Sequence, residues 1–241
     1  MTDRPFFSLI VPTYNEAENI VPLLEALRGP LSGTPHEVWV VDDDSPDGTW
    51  SLAEDYARRS GEPVRVLRRR KARGLSAAVV DGFAQARGGT LGVMDADLSH
   101  DPALWPRLLE ALDRGAEASV GSRRVPGGGA DHWPRHRRLM STLGTLFSRI
   151  VLGLALRDPM SGFFAVRREV YERGRARLRP RGYKILLEIL VKCRVPPTKI
   201  VEVPFLFKDR RQGHSKLGWR VAAGFVSQHV DLFLDRWRKR T

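Results

Sequence analysis

The first half of the chain alternates short apolar runs with amphipathic ones, and three of the apolar runs end in polar or acidic clusters. FSLIVPTY reads as a strand leading into a helix with Ile20, Leu23, Leu24 and Leu27 on one face. Asn15 or Asn19 is expected to cap that helix. A start near Asn19 would put Pro22 in the first turn, where proline is tolerated. HEVWVVDDDS is a second strand, and Asp47-Gly48 turns the chain into a helix running through Tyr56. PVRVLRR, TLGVMDA and ASVGSRR are further strands, with GLSAAVVDGFAQARGG and PALWPRLLEALDRG as the helices between them. Such alternation predicts an α/β fold, a mostly parallel sheet with helices on both faces. Parallel strands would bring Tyr14-Asn15-Glu16, Asp42-Asp43-Asp44 and Asp95-Ala96-Asp97 to one edge, where ligands bind in such sheets.

The second half is less regular. RRVPGGGADHWPRHRR reads as a basic, glycine-rich loop. Leu139–Leu156 reads as a helix with Leu139, Leu143, Leu146, Ile150 and Leu154 at helical spacing. It carries Arg149 and falls short of the roughly 20 mostly apolar residues a spanning helix needs. SGFFAVRR and KIVEVPFLFK read as strands, GYKILLEILVKCR as a helix, and Trp219–Trp237 as an amphipathic helix after the basic loop KDRRQGHSK. Without repeats or linkers, the 241 residues are expected to form a single domain over 1–241.

Composition bounds the chemistry. The sole cysteine, Cys193, excludes a disulfide framework and fits a reducing, cytoplasmic setting. No secretory leader is read at the start. The formal net charge is +12, unevenly placed. Residues 1–60 hold 4 Lys and Arg against 11 Asp and Glu, and the remainder 36 against 17. A basic surface attracts nucleic acid, anionic lipid or phosphorylated substrates. The aromatics are not interleaved with the basic runs as a nucleic-acid stacking platform requires, so a basic nucleic-acid-binding protein is the remote reading.

Residues i and i+2 of a strand point to the same side, so Asp95 and Asp97 are expected to share one small volume. Two adjacent anions are costly without a cation, and Mg2+ is commonly held by one or two carboxylates plus substrate phosphates. The acids of Asp42-Asp43-Asp44 are acceptors suited to a nucleobase or ribose. Arg123, Arg137, Arg138, Lys184, Arg210 and Lys216 lie beside glycines or aromatics and suit phosphate oxygens. RRRKARG, residues 68–74, is read three ways: facing lipid, lining a nucleotide site, or solvated. There is no G-x-G-x-x-G after the first strand, no Walker loop, no G-x-S-x-G elbow and no H-E-x-x-H pair.

In order, IVPTYNEAENI, VVDDDSPDGTW, GLSAAVVDGF, MDADLSHDP, GSR, DPMSGFFAVRR and GYKILLEIL resemble family 2 glycosyltransferases, and among them the polyprenol-phosphate mannose synthases. The resemblance runs from Phe7 to about Leu217. It implies a GT-A, Rossmann-like glycosyltransferase fold with a nucleotide-sugar half over 1–120 and an acceptor half with amphipathic helices over 121–241. The implied activity is transfer of mannose from GDP-mannose to a polyprenyl phosphate, with UDP-glucose or another nucleotide sugar as the alternative donor. It implies Pro12, Tyr14 and Glu16 at the nucleotide, Val41 and Asp43 at guanosine, and Asp95, Ala96 and Asp97 at the diphosphate. Asp95 and Asp97 would be the metal ligands for Mg2+ or Mn2+. Arg123, Arg137 and Ser141 would take the lipid phosphate, Lys184, Arg210 and Lys216 would clamp the diphosphate, and Asp97 and Arg123 would be catalytic. Where some relatives have glutamine, this chain has Ser99. The implied partners are the membrane surface and, possible in this family, a separate membrane-anchor subunit, with no nucleic acid. The implied location is peripheral, on the cytoplasmic face of a membrane. Leu139–Leu156 and Trp219–Trp237 are the expected membrane contacts, with core or a dimer interface as the alternative.

Overall fold

The structure, a computed structural model, describes residues 6–71, 73–130, 135–180, 182–207 and 219–237, without the side chains of 135–137, 219–223 and 237. Its elements run β1 (Phe7–Thr13), α1 (Ala17–Leu31), β2 (His36–Asp42), α2 (Thr49–Ser60), β3 (Val64–Arg68), α3 (Leu75–Gln85), β4 (Thr90–Val93), α4 (Trp105–Asp113) and β5 (Ala118–Ser122). There follow β6 (Gly129–Ala130), α5 (Arg135–Leu152), β7 (Phe164–Arg167), α6 (Arg168–Gly174), α7 (Ile185–Lys192), β8 (Ile200–Pro204), β9 (Leu206–Phe207) and α8 (Trp219–Trp237).

Seven strands form one sheet in the order β3-β2-β1-β4-β7-β5-β8. All run the same way except β7, which pairs antiparallel with both β4 and β5. A strand inserted against the grain reverses which end of it meets the ligand edge: the segment before β7, not the one after it, arrives there. The two-stranded β6-β9 ladder lies apart from this sheet.

Apolar burial follows from the two-sided cover. All seven residues of β1 are buried, as a central strand flanked on both faces requires. On one face Ile20, Leu23, Leu24 and Leu27 of α1 join Trp105 and Leu108 of α4. On the other, Val79 and Phe83 of α3 meet Tyr171 of α6 and Ile185, Leu186 and Ile189 of α7. Helix α3 comes so close to the sheet that a Cβ on Gly82 would lie 2.7 Å from Ile10 Cγ2.

Several local expectations are corrected. Neither Asn15 nor Asn19 caps α1: the helix starts at Ala17, after Glu16, and the Ala17 N–H donates instead to Asp47 at 3.0 Å. Pro22 therefore sits inside the helix rather than in its first turn. The segment read as one strand, KIVEVPFLFK, splits at Phe205 into β8 and β9. Helix α5 ends at Leu152, before Gly153 with its φ of +54°, so Leu154 lies past its end. Its leucine stripe faces outward: Leu139, Leu143, Leu146 and Ile150 are all exposed. Among the described residues no helix is long and apolar enough to cross a membrane.

Candidate active site

The carboxyl ends of β1, β2, β4 and β5 lie at one edge of the sheet, which brings the three polar clusters and Arg123 to that edge. Asp42 ties the first two strand ends together. Its fully buried carboxylate accepts from Thr13 Oγ1 at 2.8 Å, from the Ser45 N–H at 2.8 Å and from Ser45 Oγ at 2.6 Å. Pro12 and Val41 are register partners buried within the sheet. Glu16 accepts from Asn19 Nδ2 at 2.7 Å, and its N–H donates to Thr49 Oγ1 at 2.9 Å.

The acidic and basic runs fold onto one another. Asp43 is buried, accepts from the Gly74 N–H at 2.6 Å and is paired with Arg69, which also donates to Asp81 at 2.8 Å. Asp44 pairs with Arg68 at 2.6 Å, and the Arg68 guanidinium lies 3.9 Å from the Trp50 ring centroid. Arg73 covers the Tyr14 ring at 4.7 Å and donates to the Tyr14 hydroxyl at 2.9 Å. Within the run at 68–74, Arg68, Arg69 and Arg73 are each held by an acid or an aromatic of the first two strand ends.

The expectation for Asp95 and Asp97 is corrected in its geometry. Strand β4 stops at Val93, so both acids lie in the loop beyond it and the strand pleat does not place them. They are held differently. Asp97 is only 6% exposed, and its Oδ1 accepts from the Ser99 N–H at 3.1 Å and from the Ser99 hydroxyl. Ser99 thus orients Asp97. Asp95 is partly exposed and packs against Gly162, where a Cβ would lie 2.5 Å from its Oδ2. Among the described residues no three His, Cys, Asp or Glu side chains gather as a metal site. The two acids nevertheless fit a hard divalent cation: all-oxygen donors, one carboxylate oriented by a serine, the other lodged where glycine leaves room.

Arg123, at the end of β5, is joined to Asp158, which precedes the antiparallel β7. The Arg123 N–H donates to Oδ2 at 3.1 Å, Nε to Oδ2 at 2.7 Å and Nη2 to Oδ1 at 2.8 Å. Asp158 is fully buried. Burial alone would raise its carboxyl, but the hydrogen bonds and charge of Arg123 outweigh this and hold it below the usual carboxylate range. Glu202 of β8 fixes the same loop by accepting from the Arg157 and Asp158 N–H groups at 2.7 and 3.0 Å. Lys184 Nζ donates to the Met160 carbonyl at 3.2 Å, so a second cation reaches this loop. Ser141 accepts from Arg124 Nη2 at 2.9 Å, which links α5 to the exit of β5.

Asp158, Glu202, Gly162 and Arg124 escaped the sequence reading. The only signal for Asp158 and Gly162 was their place in DPMSGFFAVRR, which pattern alone reads as the approach to a strand. The side chain of Arg137, and all of Arg210 and Lys216, lie outside the described residues.

A sheet of this order, with one reversed strand and acids on its carboxyl edge, is the GT-A fold of glycosyltransferases. It resembles Mycobacterium tuberculosis glucosyl-3-phosphoglycerate synthase, solved with Mn2+, UDP-glucose and glycerol 3-phosphate. The TM-score is 0.67 at 22% identity, over 96% of this chain and 80% of that one. Mannosyl-3-phosphoglycerate synthase from Rubrobacter xylanophilus gives 0.68 at 21% identity, over 98% and 76%. The model of glycosyl transferase family 2 matches residues 8–175, and the chain belongs to that family. It is 47% identical over 212 residues to a dolichol-phosphate mannosyltransferase of Pyrococcus furiosus, covering 87% of this chain but 58% of that protein. It is 39% identical over 239 residues to the dolichol-phosphate mannosyltransferase of Saccharomyces cerevisiae, covering 96% and 88%.

Proposed function

We propose that this glycosyltransferase moves a mannosyl group from GDP-mannose to a polyprenyl phosphate, with inversion at the anomeric carbon and with a divalent cation. The observation that carries the reading is one sheet edge presenting two kinds of anion-handling group. The carboxylates of Asp95 and Asp97 are suited to a cation, and the cations Arg123 and Lys184 converge on the loop before β7. The relatives named dolichol-phosphate mannosyltransferase, at 37–47% identity, supply the donor sugar and the acceptor class.

The acceptor oxygen belongs to a phosphate monoester whose second pKa is near ~6, so it is largely ionised at neutral pH and needs little general-base help. It attacks the anomeric carbon, the bond from that carbon to the diphosphate oxygen breaks, and the electron pair leaves with the nucleoside diphosphate. The protein's task is therefore to hold two anions against each other. Asp95 and Asp97 would hold the cation, which when bound neutralises charge on the leaving diphosphate. Arg123, oriented by Asp158, and Ser141 and Arg137 of α5 would hold the acceptor phosphate. Lys184, with Arg210 and Lys216, would clamp the diphosphate. The nucleoside would lie along Pro12, Tyr14, Glu16, Val41 and Asp43.

The acceptor is a lipid, and the surface supports a site that works at a bilayer. Helices α5 and α8 pack together through Phe147, Phe225 and His229 while leaving Leu143, Leu146, Ile150, Val226 and Val230 exposed. Exposed apolar side chains along a basic helix suit the headgroup boundary of an anionic membrane. In this reading the protein is peripheral on the cytoplasmic face.

The test mixes purified protein, labelled GDP-mannose, a polyprenyl phosphate in detergent and Mn2+ or Mg2+, and counts label extracted into organic solvent, with an EDTA control. Metal-dependent transfer, lost in Asp97→Ala with the fold intact, is expected. Transfer that survives EDTA or Asp97→Ala overturns the cation site, and transfer from UDP-glucose in place of GDP-mannose overturns the donor.

A further inference from the structure

Lys184 is anchored at both ends. Its Nζ reaches the Met160 carbonyl, and its own carbonyl accepts a hydrogen bond from Gln228 Nε2 of α8 at 3.3 Å. Lys184 stands immediately before α7, at the N-cap position, with φ −122° and ψ 60°. An N-cap carbonyl already accepts the first intrahelical bond, and its second lone pair is what Gln228 takes. The residues before it offer little restraint: Gly182 has a φ of +73° and Tyr183 is exposed. Bonds from outside hold this corner. The Ser76 N–H of α3 donates to the Gly182 carbonyl at 3.3 Å, and Gln228 donates to Lys184.

Gln228 is itself well founded. Its neighbour His229 is fully buried, with Nε2 2.7 Å from Ser148 Oγ of α5 and Nδ1 2.7 Å from the Phe225 carbonyl. The Phe225 and His229 ring centroids lie 4.1 Å apart, tilted by 49°. Helix α8 is thus pinned to α5 one residue from the point where it grips Lys184. A lysine has a flexible four-carbon stem, so where its ammonium can dwell depends on where its main chain is held.

We propose that Gln228 is a positioning residue for the transfer reaction. By holding the Lys184 carbonyl it sets the reach of the Lys184 ammonium over the leaving diphosphate, and so couples α8 to the site. This rests on Lys184 acting at the diphosphate, as in the function proposed above.

The experiment is a double-mutant cycle in the full chain. It measures kcat and KM for GDP-mannose with Mn2+ and detergent-dispersed polyprenyl phosphate, and GDP binding and Tm alongside. Gln228→Met keeps length and removes the donor. It is expected to lower kcat/KM roughly tenfold, with Tm and the KM for the lipid acceptor little changed. In the Lys184→Ala background the same substitution is expected to cost less than about twofold, because the ammonium it positions is gone while the carbonyl remains. A merely structural bond would weaken both backgrounds equally, and that result overturns the proposal. So does a Gln228→Met enzyme with wild-type kinetics while Lys184→Ala is impaired. If Lys184→Ala itself leaves kcat/KM unchanged, the diphosphate role of Lys184 fails and this proposal falls with it, a result distinguishable from failure of Gln228 alone. Gln228→Lys restores a donor and is expected to recover part of the loss if Gln228→Met proves poorly folded.

Discussion

Asp158 accepts three hydrogen bonds from Arg123, 35 positions away in sequence, and does so fully buried. The arginine side chain is 15% exposed, so the pair presents a cation at the site from a low-dielectric base. Removing one partner of such a pair leaves the other charge uncompensated. Asp158→Asn is expected to lower stability by about 3 kcal/mol in denaturant titration. Where the variant remains folded, transfer is expected to fall by roughly 100-fold, because the guanidinium is no longer aimed. Near-normal activity with lipid acceptor would separate Arg123 from the acceptor phosphate.

Gly162 leaves the space that the Asp95 carboxylate occupies. A methyl 2.5 Å from Oδ2 cannot be accommodated without moving that carboxylate. Gly162→Ala is expected to raise the Mn2+ concentration needed for half-maximal transfer more than tenfold, while GDP-independent measures such as Tm change little. Unchanged metal dependence would mean that Asp95 is not a ligand.

Leu143 and Val230 are 52% and 51% exposed on two helices that pack against each other. Leu143→Glu combined with Val230→Glu is expected to abolish co-sedimentation with anionic vesicles while leaving Tm within a degree or two, since exposed substitutions rarely exceed about 0.5 kcal/mol. Retained vesicle binding would move the membrane contact elsewhere.

His229 has its pKa lowered by burial, partly offset by the hydrogen bond to the Phe225 carbonyl. A histidine held neutral in the fold gives stability that is complete above its unfolded value of about 6.5 and is lost as pH falls through the lowered folded value. The expected outcome is a Tm that declines as pH falls below about 6.5 in the wild type and declines less in His229→Gln. Parallel curves for the two proteins would show that other groups carry the acid sensitivity.

Much of the first half of the fold was legible in the sequence alone. Apolar runs ending in Asp42-Asp43-Asp44 and Asp95-Ala96-Asp97 announce parallel strands, and parallel strands bring their ends together by topology alone. The second half was less legible. Its key loop, Asp158 to Gly162, lies at the site because β7 runs against its neighbours, and strand direction leaves no mark on a period-two pattern. For the same reason the pairing of Arg69 with Asp43 was hidden: charge runs show sign, not partner.

Local chemistry along the chain determines which segments become strands, which become helices and which residues share a face, because backbone geometry repeats every two or 3.6 residues. What each face meets is settled only by packing. Leu139, Leu143, Leu146 and Ile150 form a stripe any reader of the sequence would assign to a face, yet that face lies open in the folded chain. Periodicity says that side chains are together; it carries no information about what lies across from them, and that depends on contacts between segments far apart in the chain.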